Sequence, residues 1–582
     1  MRIQWLAIAI SFSLTTLNAQ TSTWRPVVMS DHGMVASGHP LASEAGLRIL
    51  KAGGNAVDAA IATWAVQGLA EPMMTGLGSD MFVMIYLAKT GEVKFINGSG
   101  FAPMAATIDY YKSKGGIPVD GPLSVSVPGG VGGAELAVQK YGAKPLSDVL
   151  APAVELADQG FPVTEHLANS LKSTEKILAK YPSTTKIWFR NGKPLVMGDR
   201  VVQKDLAATL RAIGAQGSRA FYKGDIAKTA AAFMKANGGL ITEADLASYQ
   251  AFEDQPVKVD YRGIDVYECP PNSQGFVMLE ALNILEGFNL RYMGHNSAPY
   301  LHLVTEALKL SFADRDKYDG DPKFVPPIPM RELLSKEYAA KRRAFIDPTR
   351  AIEGEPAPGD PRSRGSETTA YAMPQTVPSD VGAAPEYTYG LTTYLAVVDK
   401  DRNMVSITSS LLSSFGSGMV VEHAGYFLNN RMNYFYLDPS DVNSLVPGKR
   451  TRQTINPALA VKDGKPFITF GTPGSDTQPQ TQLQFFLNVV EFGLNVQQAL
   501  EAPAVISSNF RSSYYPHDVG GKLMAPASLP KYVLDELAAM GHRLDIRDVK
   551  GVGSVKAIIV NPRTGVLMGG VSPTGDSYVM GW

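Results

Sequence analysis

Thr392 is the residue whose position invites chemistry. It opens the strand-like run Thr392-Thr393-Tyr394-Leu395-Ala396-Val397-Val398-Asp399, directly after forty residues, Ala351 to Gly390, that hold six prolines and five glycines. A cut before Thr392 would free its α-amine, whose ordinary pKa of about 7.7–8 leaves much of it neutral near physiological pH. That amine could then accept the proton of its own hydroxyl, so one residue would supply both nucleophile and base. Spacing alone leaves a plainer reading open, since threonine is a common β-branched strand residue. Other chemistries find less support. The eight histidines (His32, His39, His166, His295, His302, His423, His517 and His542) are read as forming no i, i+4 pair with a glutamate, which leaves zinc-protease chemistry without a foothold, and neither a Gly-x-Ser-x-Gly elbow nor a Gly-rich loop ending in Lys-Ser/Thr occurs.

The elements that must position Thr392 are legible on both sides of it. An Asp401-Arg402-Asn403 turn joins its strand to a second one, Met404 to Ser410, and thus makes a hairpin. Pro457 to Val461 and Phe467 to Phe470 flank a Lys462-Asp463-Gly464 turn. The loop Gly471-Thr472-Pro473-Gly474-Ser475 then leads to an apolar helix from about Leu483 to Val490. Val555 to Val560 and Gly565 to Met568 repeat the pattern. Upstream, Ser43 to Lys51 and Asn55 to Leu69 read as helices, and Met81 to Ala88 as a strand buried on both faces. Leu301, Val304, Leu308 and Phe312 mark another helix, ending near Asp314-Arg315-Asp316-Lys317. The class is α/β. The stretch Ala351 to Gly390 is too long and too rich in proline to be an ordinary connection, and it reads as a functional loop or linker.

Composition narrows the partners. The 582 residues carry 54 Lys+Arg against 55 Asp+Glu, which gives no basic field for nucleic acid. Met1-Arg2, the apolar Ile3 to Leu17 and the small Ala19 form a secretory-signal pattern over residues 1–19, cut after Ala19, which implies a secreted or periplasmic protein. An uncleaved anchor is the alternative, although the segment is shorter than the ~20 apolar residues of a span. No later segment is long enough. Cys269 is the one cysteine, so no intrachain disulfide can form, and it reads as a buried, inert thiol.

Several short motifs, taken in order, resemble the γ-glutamyltransferase family, also called γ-glutamyltranspeptidase or glutathione hydrolase. They are Gly33-Met34-Val35-Ala36-Ser37 with His39-Pro40-Leu41-Ala42-Ser43, Gly53-Gly54-Asn55-Ala56-Val57-Asp58-Ala59-Ala60, and Glu71-Pro72 with Thr75-Gly76. Then come Gly121-Pro122-Leu123 to Pro128-Gly129, Phe312-Ala313-Asp314-Arg315 with Gly320-Asp321-Pro322, Thr392-Thr393 to Asp399, Phe415-Gly416-Ser417-Gly418, and Phe427-Leu428-Asn429-Asn430. The resemblance implies an N-terminal nucleophile hydrolase with a four-layer αββα sandwich, cleaved by itself between Leu391 and Thr392. It implies a large subunit (20–391, with the leader 351–391 at its end) and a small subunit (392–582) that remain together as a heterodimer. Thr392 would attack the amide of a γ-glutamyl substrate such as glutathione, and the acyl group would pass to water or an acceptor amine. Ser410 stands where the family has a helper threonine, and Gly474 and Ser475 match its Gly-Gly oxyanion loop. No metal or organic cofactor is implied.

The resemblance departs from the family around the acyl group. Ser99 falls where a carboxylate-clamping arginine is expected. The residues that follow the double asparagine become Arg431 and Tyr434, an asparagine near the helper becomes Leu412, and a serine pair becomes Gln453-Thr454. Arg431, Arg450 and Arg452 are candidate replacement clamps, because guanidinium binds carboxylate in a bidentate fashion. The departures favour a relative that acts on another amide, in the manner of a cephalosporin acylase or an oxamate amidohydrolase. A non-catalytic binding protein, the remaining alternative, would stay uncut.

Overall fold

The computed structural model describes residues 23–363, 391–551 and 553–582. Two seven-stranded antiparallel sheets stack face to face. The first runs in the order Tyr578–Gly581, Met34–Ser37, Leu391–Val398, Met404–Leu412, Asp80–Leu87, Glu92–Gly98, Phe252–Asp254. The second runs Val28–Ser30, Leu567–Val571, Lys556–Val560, Lys465–Gly471, Ala458–Lys462, Ile264–Glu268, Val257–Tyr261. Three apolar layers follow. Met34, Phe82, Met84, Tyr394 and Ala396 meet Leu459, Val461, Ile558 and Val560 between the sheets. Val35, Val83, Leu395 and Val397 point the other way, onto the helices Pro40–Lys51 and Ala56–Ala70. On the far side, Ile468 and Phe470 pack against Phe276–Leu285, Ala298–Tyr318 and Gln478–Val490.

This αββα sandwich explains the strand sequences. With both faces of each sheet covered, successive residues all enter a core, and the alternation of a half-exposed antiparallel strand disappears. The strand Asp80–Leu87 is accordingly apolar from Met81 onward. Local chemistry sets the helix starts a few residues from where periodicity places them. His39 caps Pro40–Lys51 by accepting from the Leu41 amide at 3.2 Å, with Pro40 in the first turn. Asn55 and Asp58 form a capping box on Ala56–Ala70. Residues 351–363 lie in neither helix nor strand. Residues 364–390, the larger part of the leader, and the signal-like 1–19 fall outside the described residues. No helix among the described residues is long and apolar enough to cross a membrane. Cys269 is fully buried and its thiol is pushed well up by burial, as expected of an unreactive cysteine.

Two buried histidines make the fold acid-sensitive. Burial lowers His39 to about 4 and His542 to about 3. An unfolded histidine titrates near 6.5, so below that pH the unfolded chain takes up protons that the native one refuses. Stability should therefore be intact above pH 6.5 and fall as pH drops toward 4, by about 3 kcal/mol for each group at most. Urea midpoints measured from pH 7 to pH 4.5 should decline, and less steeply for His542→Asn.

Candidate active site

The hairpin Leu391–Val398 and Met404–Leu412 sits in the middle of the first sheet and pairs Thr392 with Ser410. Both side chains are buried, and Thr392 Oγ1 donates to Ser410 Oγ at 3.0 Å. Ser410 Oγ also accepts from the Leu412 amide at 2.9 Å and donates to the Leu391 carbonyl at 3.4 Å. One hydroxyl thus uses one donor and two acceptor positions, its full capacity. The register irregularity between Leu391 and Thr392 lets both residues face Ser410. The amide contact depends on Leu412, held at φ 93°, a conformation costing a branched residue about 1–3 kcal/mol. On the opposite face, Thr393 is anchored by Gln67 and Glu71, and Ser409 by Trp64, Thr75 and Ser79. Polar anchors behind the strand therefore fix what faces the site.

The loop Gly474–Ser475 leaves the end of Lys465–Gly471, whose Gly471 lies too close to the Tyr394 ring to carry a side chain. Gly474 adopts φ 131° and Ser475 φ 52°, left-handed backbone that leads into the helix Gln478–Val490. Gln274 holds this loop, since its Nε2 donates to the carbonyls of Ser475 (3.1 Å) and Thr454 (3.2 Å). Arg315 in turn holds Gln274 and Asp476, with Nη1 at 3.0 and 2.8 Å from their oxygens.

The residues expected around the acyl group separate into two sets. Arg431 is fully buried against the strand Met404–Leu412: its Nε donates to the Ser410 carbonyl at 3.1 Å, and its Nη1 bonds Gln453 Oε1. Gln453 Nε2 donates onward to Asp80 Oδ2 at 2.9 Å, and Asp80 lies 3.6 Å from Arg431. Burial pushes the Asp80 carboxyl up, opposed by Arg431. The Arg431 guanidinium lies 5.5 Å from the Tyr434 ring, and the Tyr434 hydroxyl meets Thr454 Oγ1 at 2.6 Å. Ser475 Oγ is buried without a partner beside the phenols of Tyr434 and Tyr514. Ser99 belongs elsewhere: its hydroxyl donates to Asn97 Oδ1 at 2.6 Å, and its carbonyl is capped by Arg450. Arg450 also reaches the Gln250 carbonyl and stacks near Tyr249 and Phe252, while Arg452 is spent on Asp316 and Ser513. Of the three candidate clamps, Arg431 alone touches the strand Met404–Leu412.

The sequence does not single out Asp80, Gln274, Asp476 or Tyr514, and it presents Arg315 as part of a charged helix end and of the Phe312-Ala313-Asp314-Arg315 motif, without a role. The available signal was Asp314-Arg315-Asp316 on a helix whose Leu301, Val304, Leu308 and Phe312 mark it for the core, because buried charges require partners. His302, Glu306 and His542 are the group with metal-ligand spacing among the described residues. His302 and Glu306 stand four apart on one helix, which corrects the expectation that no histidine pairs with a glutamate at that spacing. His302 Nε2 donates to the Asp347 carbonyl (2.8 Å), so its Nδ1 can accept from His542 Nε2 (2.9 Å). Glu306 takes the Lys309 ammonium and the Ile352 amide. Charge and hydrogen bonds are already balanced there, as in a structural network.

A family model described as Gamma-glutamyltranspeptidase matches residues 42–582. The Glutathione hydrolase-like YwrD proenzyme of Bacillus subtilis (strain 168) is 37% identical over 556 residues, 95% of this chain and 99% of that protein. The Glutathione hydrolase proenzyme of the same strain is 34% identical, covering 94% and 91%. The crystal structure of cephalosporin acylase from Bacillus halodurans superposes with a TM-score of 0.85 at 35% identity, over 98% and 99% of the two chains.

Proposed function

Because the chain belongs to the γ-glutamyltranspeptidase family, we propose that it is a self-processing N-terminal threonine hydrolase that cleaves amides through a threonyl ester. The observation that carries this reading is the contact of Thr392 Oγ1 with Ser410 Oγ, itself hydrogen-bonded to the Leu391 carbonyl. In the uncut chain the Thr392 oxygen attacks the Leu391 carbonyl carbon, the C–N bond breaks, and the departing nitrogen takes the hydroxyl proton. Water then cleaves the ester, leaving a carboxylate on Leu391 and a free amine on Thr392. Residues 20–391 and 392–582 become two subunits, which stay together because the central sheet is built from both. In the mature protein the amine accepts the hydroxyl proton as Thr392 attacks a substrate amide. Amides of Gly474 and Ser475 stabilise the oxyanion, each donor worth about 3–4 kcal/mol. The acyl group leaves to water or an amine. Residues 1–19 direct the precursor to a secreted or periplasmic location in this reading.

Two acyl identities fit. The names of the relatives favour γ-glutamyl amides such as glutathione, whereas Arg431 and Tyr434 favour another carboxyl-bearing acyl group. Intact-mass analysis of the purified protein, followed by turnover of acyl anilides, tests the reaction class. Two fragments, the smaller beginning at Thr392, together with anilide cleavage are expected; an uncut, inactive chain would overturn the proposal. Ser410→Ala should slow processing roughly 100-fold by removing the donor to the scissile carbonyl. Ser410→Thr should process within a few-fold of the parent, as followed by a mass time course.

A further inference from the structure

Beside the nucleophile strand lies a buried pair of opposite charges that the reaction outlined above does not use. Glu71 ends the helix Ala56–Ala70 and is buried. Its Oε2 accepts from Gln67 Nε2 at 2.8 Å and from Thr393 Oγ1 at 3.1 Å, so the carboxylate holds the residue next to Thr392. Gly38 makes room for it, because a Cβ there would strike the carboxylate. Lys556 opens the strand Lys556–Val560 of the second sheet and is only 2% exposed. A lysine is almost never buried that far without a countercharge.

Strand alternation places this lysine. Ile558 and Val560 face the layer between the sheets, as do Tyr394, Ala396 and Val398. Lys556 and Thr392, two residues before Ile558 and Tyr394, therefore face that layer too. They share one end of it, since Lys556 pairs with Gly471 and Gly471 lies against the Tyr394 ring. Lys556 Nζ donates to the Ser554 carbonyl at 3.2 Å, which leaves two of its N–H groups open among the described residues. Burial pulls Lys556 down to about 8, and Glu71 is the charge that opposes the fall. Burial likewise pushes Glu71 up, opposed first by Lys556. The other titratable groups nearby replace neither charge. His39 and His166 are held below the ordinary histidine range by burial and are uncharged at neutral pH, and Asp576 accepts from Thr164 Oγ1 at 2.6 Å.

Two arms of the site meet at this pair. Through Thr393, Glu71 holds the strand that begins with the nucleophile. Through its pairing with Gly471, Lys556 holds the strand that ends just before the Gly474–Ser475 loop. We propose that Glu71 and Lys556 are positioning residues for the reaction of Thr392: the attraction between their charges locks the nucleophile strand of the first sheet to the strands of the second sheet that carry the oxyanion loop. This rests on the threonine-hydrolase reading, and the two fail differently. An uncut chain contradicts the hydrolase, while a cut, active chain indifferent to the pair contradicts only the lock.

The test follows kcat and KM of the processed protein from pH 7 to pH 10, on L-γ-glutamyl anilide or glutaryl anilide, whichever turns over faster. In the wild type kcat should fall above about pH 8, as Lys556 loses its proton and the lock opens. Lys556→Arg keeps its charge throughout that range, so its kcat should stay level. Glu71→Gln removes the charge that retains the Lys556 proton, so there the decline should begin at lower pH. Lys556→Met should lose about ten-fold in kcat at neutral pH with KM nearly unchanged, the mark of misplaced reacting groups rather than of lost substrate binding. Glu71→Gln combined with Lys556→Gln should regain part of that loss, since neither charge is then left unpaired. A wild-type kcat that stays level from pH 8 to pH 10, a readout that needs no variant, would overturn the proposal. So would a decline that is the same in the wild type, Lys556→Arg and Glu71→Gln.

Discussion

Thr392→Ala is expected to remain a single uncut chain and to lose amide turnover by at least about 10⁴-fold. The same oxygen serves both reactions, so one substitution should remove both. Alanine keeps the strand pairing with Ser410, because the register rests on backbone bonds and on anchors behind the sheet at Thr393 and Ser409. The variant should therefore fold like the wild type, with an unchanged circular dichroism spectrum. Thr392→Ser keeps the hydroxyl and should still process. Intact mass and anilide turnover on the three proteins check this. Normal processing in Thr392→Ala would remove Thr392 from the mechanism.

Arg315→Met should be the most damaging substitution outside the hairpin. Arg315 is fully buried and holds Gln274, Asp316, Asp476 and the Arg511 carbonyl, with its guanidinium over Phe312 and Phe510. Removing it leaves Asp476 without its countercharge, while Asp316 keeps Arg452, a loss of about 3–5 kcal/mol. Gln274 would also lose its anchor, and with it the Ser475 and Thr454 carbonyls would lose theirs. Turnover should consequently fall more than ten-fold even at temperatures where the variant is folded, if oxyanion stabilisation of the usual size depends on that loop. Denaturant curves and turnover at low temperature read the two effects separately. Arg315→Met combined with Asp476→Asn should recover part of the stability, since the unpaired charge is then gone.

Much of the fold was legible in the chain. The apolar runs after Asp80 and after Thr392 mark strands covered on both faces, and Asn55 with Asp58 marks a helix start. The helix around Leu301 runs on to Tyr318, with Asp314, Arg315 and Asp316 at its end buried and paired rather than solvated. The Arg315–Asp476 pairing spans 161 positions along the chain and leaves no local pattern. The site was legible only in part. Thr392 was raised by its place after the proline-rich stretch, whereas Ser410 and the Gly474–Ser475 loop came from the resemblance. The strained backbone at Leu412, which turns its amide onto the helper hydroxyl, has no sequence signal in a leucine. Nor could sequence choose among Arg431, Arg450 and Arg452, since each is defined by what already occupies it: carbonyls for Arg450, Asp316 for Arg452, and the strand Met404–Leu412 for Arg431.

The central claim is that the Thr392 oxygen carries the acyl group. Acid-quenching the processed enzyme during turnover of a slow acyl amide, then mapping the small subunit by peptide mass, tests it most directly. The account predicts one acyl mass increment on the peptide that begins with Thr392, removed by mild base as an ester. The same increment on any other residue would contradict it.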